Sequence, residues 1–209
     1  MRRFVLIALA LLAPAVADAQ TIPTRATRAD GSVVLLYPDG TWHAESTATS
    51  SPKVVTGASY TTPAGASDQL DLGRGVTLHF NPAKWQRAAS PSPGRLMLRH
   101  VDGDGYTLVI YERLQIPTAN LRNIAMEHVR SASPDIKIIR DEQRRVNGTD
   151  VEAVEFSGTA QGIPFHWLAY YFGGAPGAVQ VLTFSGESLF SGFQADFQDM
   201  LNGLQVDKQ

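Results

Sequence analysis

The run Tyr106-Thr-Leu-Val-Ile-Tyr-Glu-Arg113 constrains the fold more than any other stretch of the chain. Tyr106, Leu108 and Ile110 fall on one alternating face, Val109 and Tyr111 on the other. Successive side chains of a strand point to opposite sides of its sheet, so a strand apolar on both faces needs a layer above and a layer below. Two segments can supply those layers. Thr118 to Ser131 carries Leu121, Ile124, Ala125, His128 and Val129 at helical spacing, with Thr118 as the expected N-cap and Pro134 as the stop. A second helix is expected from about Leu189 to Asn202, with Phe193, Phe197, Met200, Leu201 and Leu204 as its apolar stripe. Ser191-x-x-Gln194 fits a capping box, and Gly203 ends that helix.

The remaining body reads as strands joined by short turns. Val76 to Phe80 ends at Asn81-Pro82, Gln86 to Ala89 forms a short strand, and Arg95 to Val101 turns at Asp102-Gly103-Asp104-Gly105. Ile136 to Val146 meets Asp150 to Ser157 across Asn147-Gly148, a strong hairpin signal. Ile163 to Phe172 meets Ala178 to Gly186 across a Gly-rich turn, 173–177. Tight turns join antiparallel neighbours, so the expected class is α+β: an antiparallel sheet of about six to seven strands covered by helices on both faces, an α/β/α sandwich.

Three segments precede this body. Met1-Arg2-Arg3, an apolar run from Phe4 to Val16 and small Ala17-Asp18-Ala19 make residues 1–19 an expected signal peptide, cut after Ala19. That apolar run is too short to span a bilayer, so the expected compartment is the bacterial periplasm. Residues 20–45 hold two β-prone runs, Ser32 to Tyr37 and Thr41 to His43, joined by Pro38-Asp39-Gly40. They read as a β-hairpin, which is marginal in isolation and must dock on something. Residues 46–68, rich in Ser, Thr, Ala, Gly and Pro, read as a flexible linker, and 69–209 as the folded domain.

The chain has no cysteine, so structural disulfides, thiolate metal sites, thiol catalysis and a lipid anchor on Cys are excluded. With 18 Lys+Arg against 20 Asp+Glu its field is weak, which argues against nucleic acid as a partner.

Gly75-Val-Thr-Leu-His-Phe-Asn-Pro82 is followed by Trp85, and the long strand 106–113 comes before a first helix. Val146-Asn147-Gly148 before Val151 to Phe156, the aromatic strand with Trp167, Tyr170, Tyr171 and Phe172, and a closing Phe-rich helix complete the pattern. In these features the body resembles the superfamily of PsbP, Mog-type and DcrB-like proteins over about residues 70–206. The resemblance implies a non-catalytic binding module, assembly factor or chaperone, and brings no catalytic residue set and no cofactor. Fold analogy sets an expectation of function and nothing more.

The candidate chemistry is sparse. His100-Val-Asp102-Gly-Asp104-Gly105 is the nearest thing to a metal loop, but Tyr106 and Arg113 stand where a calcium loop needs an oxygen ligand and a Glu; it reads as a turn. His43, His79, His100, His128 and His166 never take the spacings that hold zinc, and His79 and His128 sit among apolar neighbours as wall residues. Gly186-Glu187-Ser188-Leu189-Phe190 lacks the second glycine of a nucleophile elbow, and the 173–177 turn lacks the Lys-Ser of a phosphate loop. Lys137, Arg140, Arg144 and Arg145 form a basic cluster interleaved with Asp141 and Glu142, read as a charged edge strand with a docking role as the alternative. Trp85 and Trp167 read as core; Trp42, with Tyr37 in the same undersized hairpin, is a candidate anchor for a protein contact.

The expectation is thus an exported, non-catalytic module that binds another envelope protein, with Trp42, Tyr37, Arg140, Arg144 and His166 as candidate contacts and no metal or cofactor. Two alternatives stay open: a small-ligand or lipid carrier, and a hydrolase built from dispersed groups such as His100, Asp102, Asp104 and His166.

Overall fold

The computed structural model describes residues 24–27, 33–37, 40–44, 53–90 and 92–207. The expected signal peptide lies outside the described residues. They divide into a small N-terminal unit and a larger one that begins with residue 53.

The small unit is an antiparallel sheet of β1 (Thr24–Thr27), β2 (Val33–Leu36) and β3 (Trp42–Ala44), in that order. The expected hairpin is its β2–β3 half. Tyr37 N–H donates to the Thr41 carbonyl (2.9 Å) and Gly40 N–H to that of Tyr37 (3.0 Å), so Leu36 and Trp42 lie opposite each other. The sequence reading missed β1: Thr-Arg-Ala-Thr has no apolar alternation, and it joins the sheet through backbone pairing with β2.

The larger unit contains β4 (Lys53–Tyr60), β5 (Asp68–Gly73), β6 (Val76–Phe80), β7 (Trp85–Ala88), β8 (Arg95–His100), β9 (Tyr106–Glu112), α1 (Thr118–Ala132), β10 (Lys137–Val146), β11 (Thr149–Ala160), β12 (Ile163–Gly174), β13 (Gly177–Gly186), α2 (Glu187–Asn202) and β14 (Leu204–Val206). Eight strands form the main sheet in the order β4-β10-β11-β12-β13-β9-β8-β7, and β14-β6-β5 form a second, smaller one. Every pair in the main sheet is antiparallel except β4 with β10, which is parallel.

Three expectations are corrected here. The sheet has eight strands instead of six or seven. One of them, β4, comes from the segment read as a flexible linker; an edge strand can be held by backbone hydrogen bonds to one neighbour, so the polar composition of 46–68 did not reveal it. The α+β class stands, but the α/β/α sandwich does not. Two helices against eight strands form no helical layer, and part of one face is covered by the small sheet instead.

Alternation along β12 separates the two faces. Leu168 and Tyr170 belong to a core with Phe190, Phe197, Met200 and Leu201 of α2 and with Leu70, Val76, Leu78, Phe80 and Leu204 of the small sheet. Trp167, Ala169 and Tyr171 belong to a second core with Leu121, Ala125 and Met126 of α1. The β9 run is buried on both sides, as its pattern requires: Val109 enters the first core, Leu108 and Ile110 the second. Tyr106, Phe184, Trp167 and Phe156 are direct cross-strand partners on the α1 face, a row of four rings across four strands.

Helix ends depart from expectation in instructive ways. Thr118 is the first helical residue of α1 and makes no cap bond to its own helix. Its hydroxyl instead donates to the Gly173 carbonyl (3.1 Å) and accepts from the Gly173 amide (3.0 Å), tying α1 to the end of β12. Met126 fills the core position expected of Ile124 and His128, both of which are exposed. The strand β13 runs directly into α2 at Glu187, so the helix starts before Leu189 and the Ser191–Gln194 capping box does not form its end. At the other end Gly203 keeps a negative φ of −73°. Glycine is required there by close approach: a Cβ would overlap the carbonyl oxygen of His79, whose own N–H donates to Gly203 O at 2.9 Å. Among the described residues no helix is long and apolar enough to cross a membrane.

Gly203→Ala should therefore push β6 away from the end of α2 and destabilise the body by about 1–3 kcal/mol or more. A urea midpoint equal to that of the parent chain would contradict this reading.

Candidate functional site

The hairpin β10–β11 sets the site. The two-residue turn at Asn147-Gly148 aligns Arg140 with Glu155, Glu142 with Ala153 and Arg144 with Val151, all on the α2 side of the sheet. The next strand places His166 and Tyr170 on that same side. Three of the five candidate residues, Arg140, Arg144 and His166, are thus brought to one face. Tyr37 and Trp42 belong to the small unit, where Trp42 is 52% exposed and Tyr37 half-buried.

Arg144 is no surface residue. Its side chain is 2% exposed, and its guanidinium donates to Glu142 Oε1 (2.5 Å), Tyr170 Oη (2.9 Å) and Gln198 Oε1 of α2 (2.5 Å). Gln198 Nε2 donates to Tyr170 Oη (2.7 Å), and the tyrosine passes its proton bond to Asn202 Oδ1 (3.0 Å). The Arg144 guanidinium also lies over the rings of Tyr60 and Tyr170, at 5.1 and 5.6 Å from their centroids. Burial works against its charge, but Tyr170 and Glu142 outweigh that and hold its pKa above the ordinary value. Burial pushes the Tyr170 hydroxyl up, so it stays a neutral donor.

The seam continues into the turn. Asn147 Nδ2 donates to the carbonyls of Asn202 (3.0 Å) and Leu204 (2.8 Å), and its Oδ1 accepts from the Thr62 amide (2.8 Å). The hairpin turn is thereby bonded to both the C-terminal end of α2 and the chain leaving β4. Asn147 itself has φ +48°, a conformation asparagine tolerates better than most residues.

Arg140 and His166 form a different, outer cluster. His166 Nε2 donates to Glu155 Oε1 (3.0 Å), and Arg140 pairs with Glu155 Oε2 (3.4 Å). Glu155 is buried, so its charge is balanced by the half-exposed guanidinium above it. The His166 ring stacks on Phe190 of α2 with centroids 3.6 Å apart. Leu189 and Ile139, the chain neighbours of Phe190 and Arg140, are both exposed. Ile139 is the extra residue of a bulge between Ile138 and Arg140, a device that kinks a strand near its end.

The groups considered for dispersed catalysis are not assembled. His100 is buried at the end of β8, donating from Nε2 to Asp196 Oδ2 (3.0 Å) and accepting the Asp102 amide at Nδ1 (3.2 Å). Lys84 holds the other oxygen of Asp196 (2.5 Å), so this cluster fastens α2 to β7 and β8. Asp104 pairs with Arg99 and Tyr106 in the turn. His166 contacts none of these groups. The Ser185 hydroxyl, cross-strand from His166, donates to the Gly186 carbonyl, so it is not poised on the imidazole. Among the described residues no three His, Asp or Glu side chains converge in a way that could hold a metal ion.

Glu155, Asp196, Gln198 and Asn202 were not singled out from sequence. For Glu155 the signal was available: extending the Asn147-Gly148 hairpin residue by residue places it opposite Arg140.

Arg144→Ala should cost about 3–5 kcal/mol, because it strands Glu142 and Tyr170 in the interior, whereas Arg140→Ala should cost less, because His166 stays bonded to Glu155. Urea unfolding of the two variants checks the contrast, and equal midpoints would remove the distinction between interior and outer arginines.

No family model matches the chain, and no curated protein matches it significantly. Solved structures do. The solution structure of cyanobacterial PsbP (CyanoP) from Synechocystis sp. PCC 6803 is 16% identical with a TM-score of 0.52, covering 67% of this chain and 92% of that one. A crystal structure from Bacteroides thetaiotaomicron VPI-5482 is 9% identical with a TM-score of 0.46, covering 65% of this chain and 46% of that one. A protein of unknown function from Pseudomonas aeruginosa is 11% identical with a TM-score of 0.46, covering 68% of this chain and 97% of that one. At these identities the likeness is one of fold, and it is carried by the first of the three. The chain carries a domain with a PsbP-like fold.

Proposed function

We propose that the protein is an exported, non-catalytic binding module that docks on another protein of the bacterial envelope through its N-terminal sheet. The observation that carries this reading is the Leu36–Trp42 pair. The two side chains are direct cross-strand partners and are 42% and 52% exposed. A large aromatic beside a leucine on a small sheet is the composition of an interface anchor, and its burial would add stability that three short strands lack. The partner surface would be an apolar pocket, with Tyr37 at the rim of the contact. Arg140 and His166 form a second, polar contact area on the body, held ready by Glu155.

The binding-module reading is supported at the level of fold by the PsbP-like domain. Export rests on residues 1–19, and recovery of a periplasmic chain whose first residue is Gln20 would be the direct check.

The test uses the mature chain immobilised against native envelope extract, beside its Trp42→Ala variant. The retained protein is then purified and titrated against both. Loss of an anchor aromatic should weaken binding by about thirtyfold or more, the effect of a ~2 kcal/mol hot spot. Equal retention by both chains, or none by either, would overturn the proposal.

A further inference from the structure

The chain contains two Asn-Gly pairs, Asn147-Gly148 and Asn202-Gly203. Asparagine is a chemically labile residue, and a following glycine makes it more so, because the unhindered glycine nitrogen can reach the side-chain carbonyl carbon. The fold brings the two pairs together across 55 residues of chain: Asn147 Nδ2 donates to the Asn202 carbonyl (3.0 Å). The same Nδ2 donates to the Leu204 carbonyl (2.8 Å), and Oδ1 accepts from the amide (2.8 Å) and the hydroxyl (3.2 Å) of Thr62. With both protons given and both lone pairs taken, the Asn147 side-chain amide is fixed in one orientation.

The two pairs are held unequally. Asn202 is 7% exposed in the last turn of α2, where its Oδ1 accepts from Tyr170 Oη and Gln198 Nε2. The Gly203 N–H is committed to the Met200 carbonyl (3.2 Å), so that nitrogen is not free to attack. Gly148, by contrast, is exposed at the hairpin tip with φ +80°, and a Cβ added to it would meet nothing within 4 Å. What restrains Asn147 is its side chain, fastened to the C-terminal end of α2 and to the chain after β4.

We propose that Asn147 is a site of spontaneous deamidation held closed by this seam, and that its conversion, once the end of α2 lifts from the hairpin, releases that end irreversibly. Freed of its four bonds, the side chain can turn toward Gly148. The Gly148 nitrogen gives its proton to solvent base and attacks Cγ of Asn147. The Cγ–Nδ2 bond breaks, and Nδ2 leaves as ammonia with a proton from water. Water then opens the cyclic imide at one carbonyl or the other, leaving aspartate or isoaspartate. The sum is one water consumed and one ammonia released, with no change of oxidation state. The product has no N–H to offer Asn202 and Leu204. A carboxylate then faces two carbonyl oxygens, all acceptors, and the hairpin cannot rejoin α2 as before.

The test follows the full chain in mildly alkaline buffer, folded and in urea above its unfolding midpoint, with conversion at each asparagine read by peptide mass spectrometry. Asn120 and Asn123, followed by Leu and Ile, are the internal references. In urea both Asn-Gly pairs should convert well ahead of the references. In the folded chain Asn147 should slow by about tenfold or more, since the open seam is a minor state, and should still precede Asn202. The product is examined separately: Asn147→Asp should lower the urea midpoint of the full chain. Equal rates at Asn147 in the folded and unfolded chain would overturn the proposal. So would conversion of Asn202 ahead of Asn147 in the folded chain, or an Asn147→Asp midpoint equal to that of the parent.

Discussion

The arrangement of the body depends on one buried guanidinium. Arg144 sits on the inner face of a strand, where an isolated positive charge would be prohibitively costly, and its presence there is possible because each of its three guanidinium nitrogens finds an acceptor. Those acceptors come from three elements, β10, β12 and α2, so satisfying the charge fixes their mutual placement. The apolar cores supply most of the driving force, but a surface of Val, Leu and Phe tolerates small slides of a helix. A chain of polar bonds from Glu142 through Arg144, Tyr170 and Gln198 to Asn202 does not. Asn147 then carries the same constraint around the hairpin turn to the chain after β4.

Positioning α2 has consequences at its other end. Phe190 in its first turns lies against His166, and this contact, with Glu155 and Arg140, gives the outer corner its shape. The interior seam and the outer corner are therefore one construction, alike in residue type and opposite in availability. The seam spends its charges on holding the fold, whereas the corner leaves an arginine half-exposed and a histidine ring at the edge of the helix.

Much of the body was legible in sequence because local rules and global burial agree there. The β9 run announced two covered faces, and the Asn147-Gly148 pair announced a hairpin whose register proved to be that of a two-residue turn. What was illegible has a physical reason in each case. Strand β4 pairs with β10 at the edge of the sheet, and its sequence Lys-Val-Val-Thr-Gly-Ala-Ser-Tyr has no apolar alternation. Gly203 reads in sequence as a helix stop but is required by a neighbouring carbonyl, which only the tertiary fold brings close. Arg144 and Arg140 are indistinguishable by composition, each in a run of alternating charges. Which of them is buried is decided by where α2 packs, a non-local fact. Glu155 could have been found by extending the hairpin register; Gln198 and Asn202, some fifty residues from the hairpin they bond to (Arg144 and Asn147), could not.

The most direct test of the seam as a single unit is a double-mutant cycle between Arg144→Met and Tyr170→Phe, read by urea unfolding. If the polar chain fixes α2 on the sheet, the two substitutions should couple by about 1–3 kcal/mol, the pair costing well under the sum of the singles. Additivity within about 0.5 kcal/mol would mean that each residue acts alone, and that packing, not this network, sets the position of the helix.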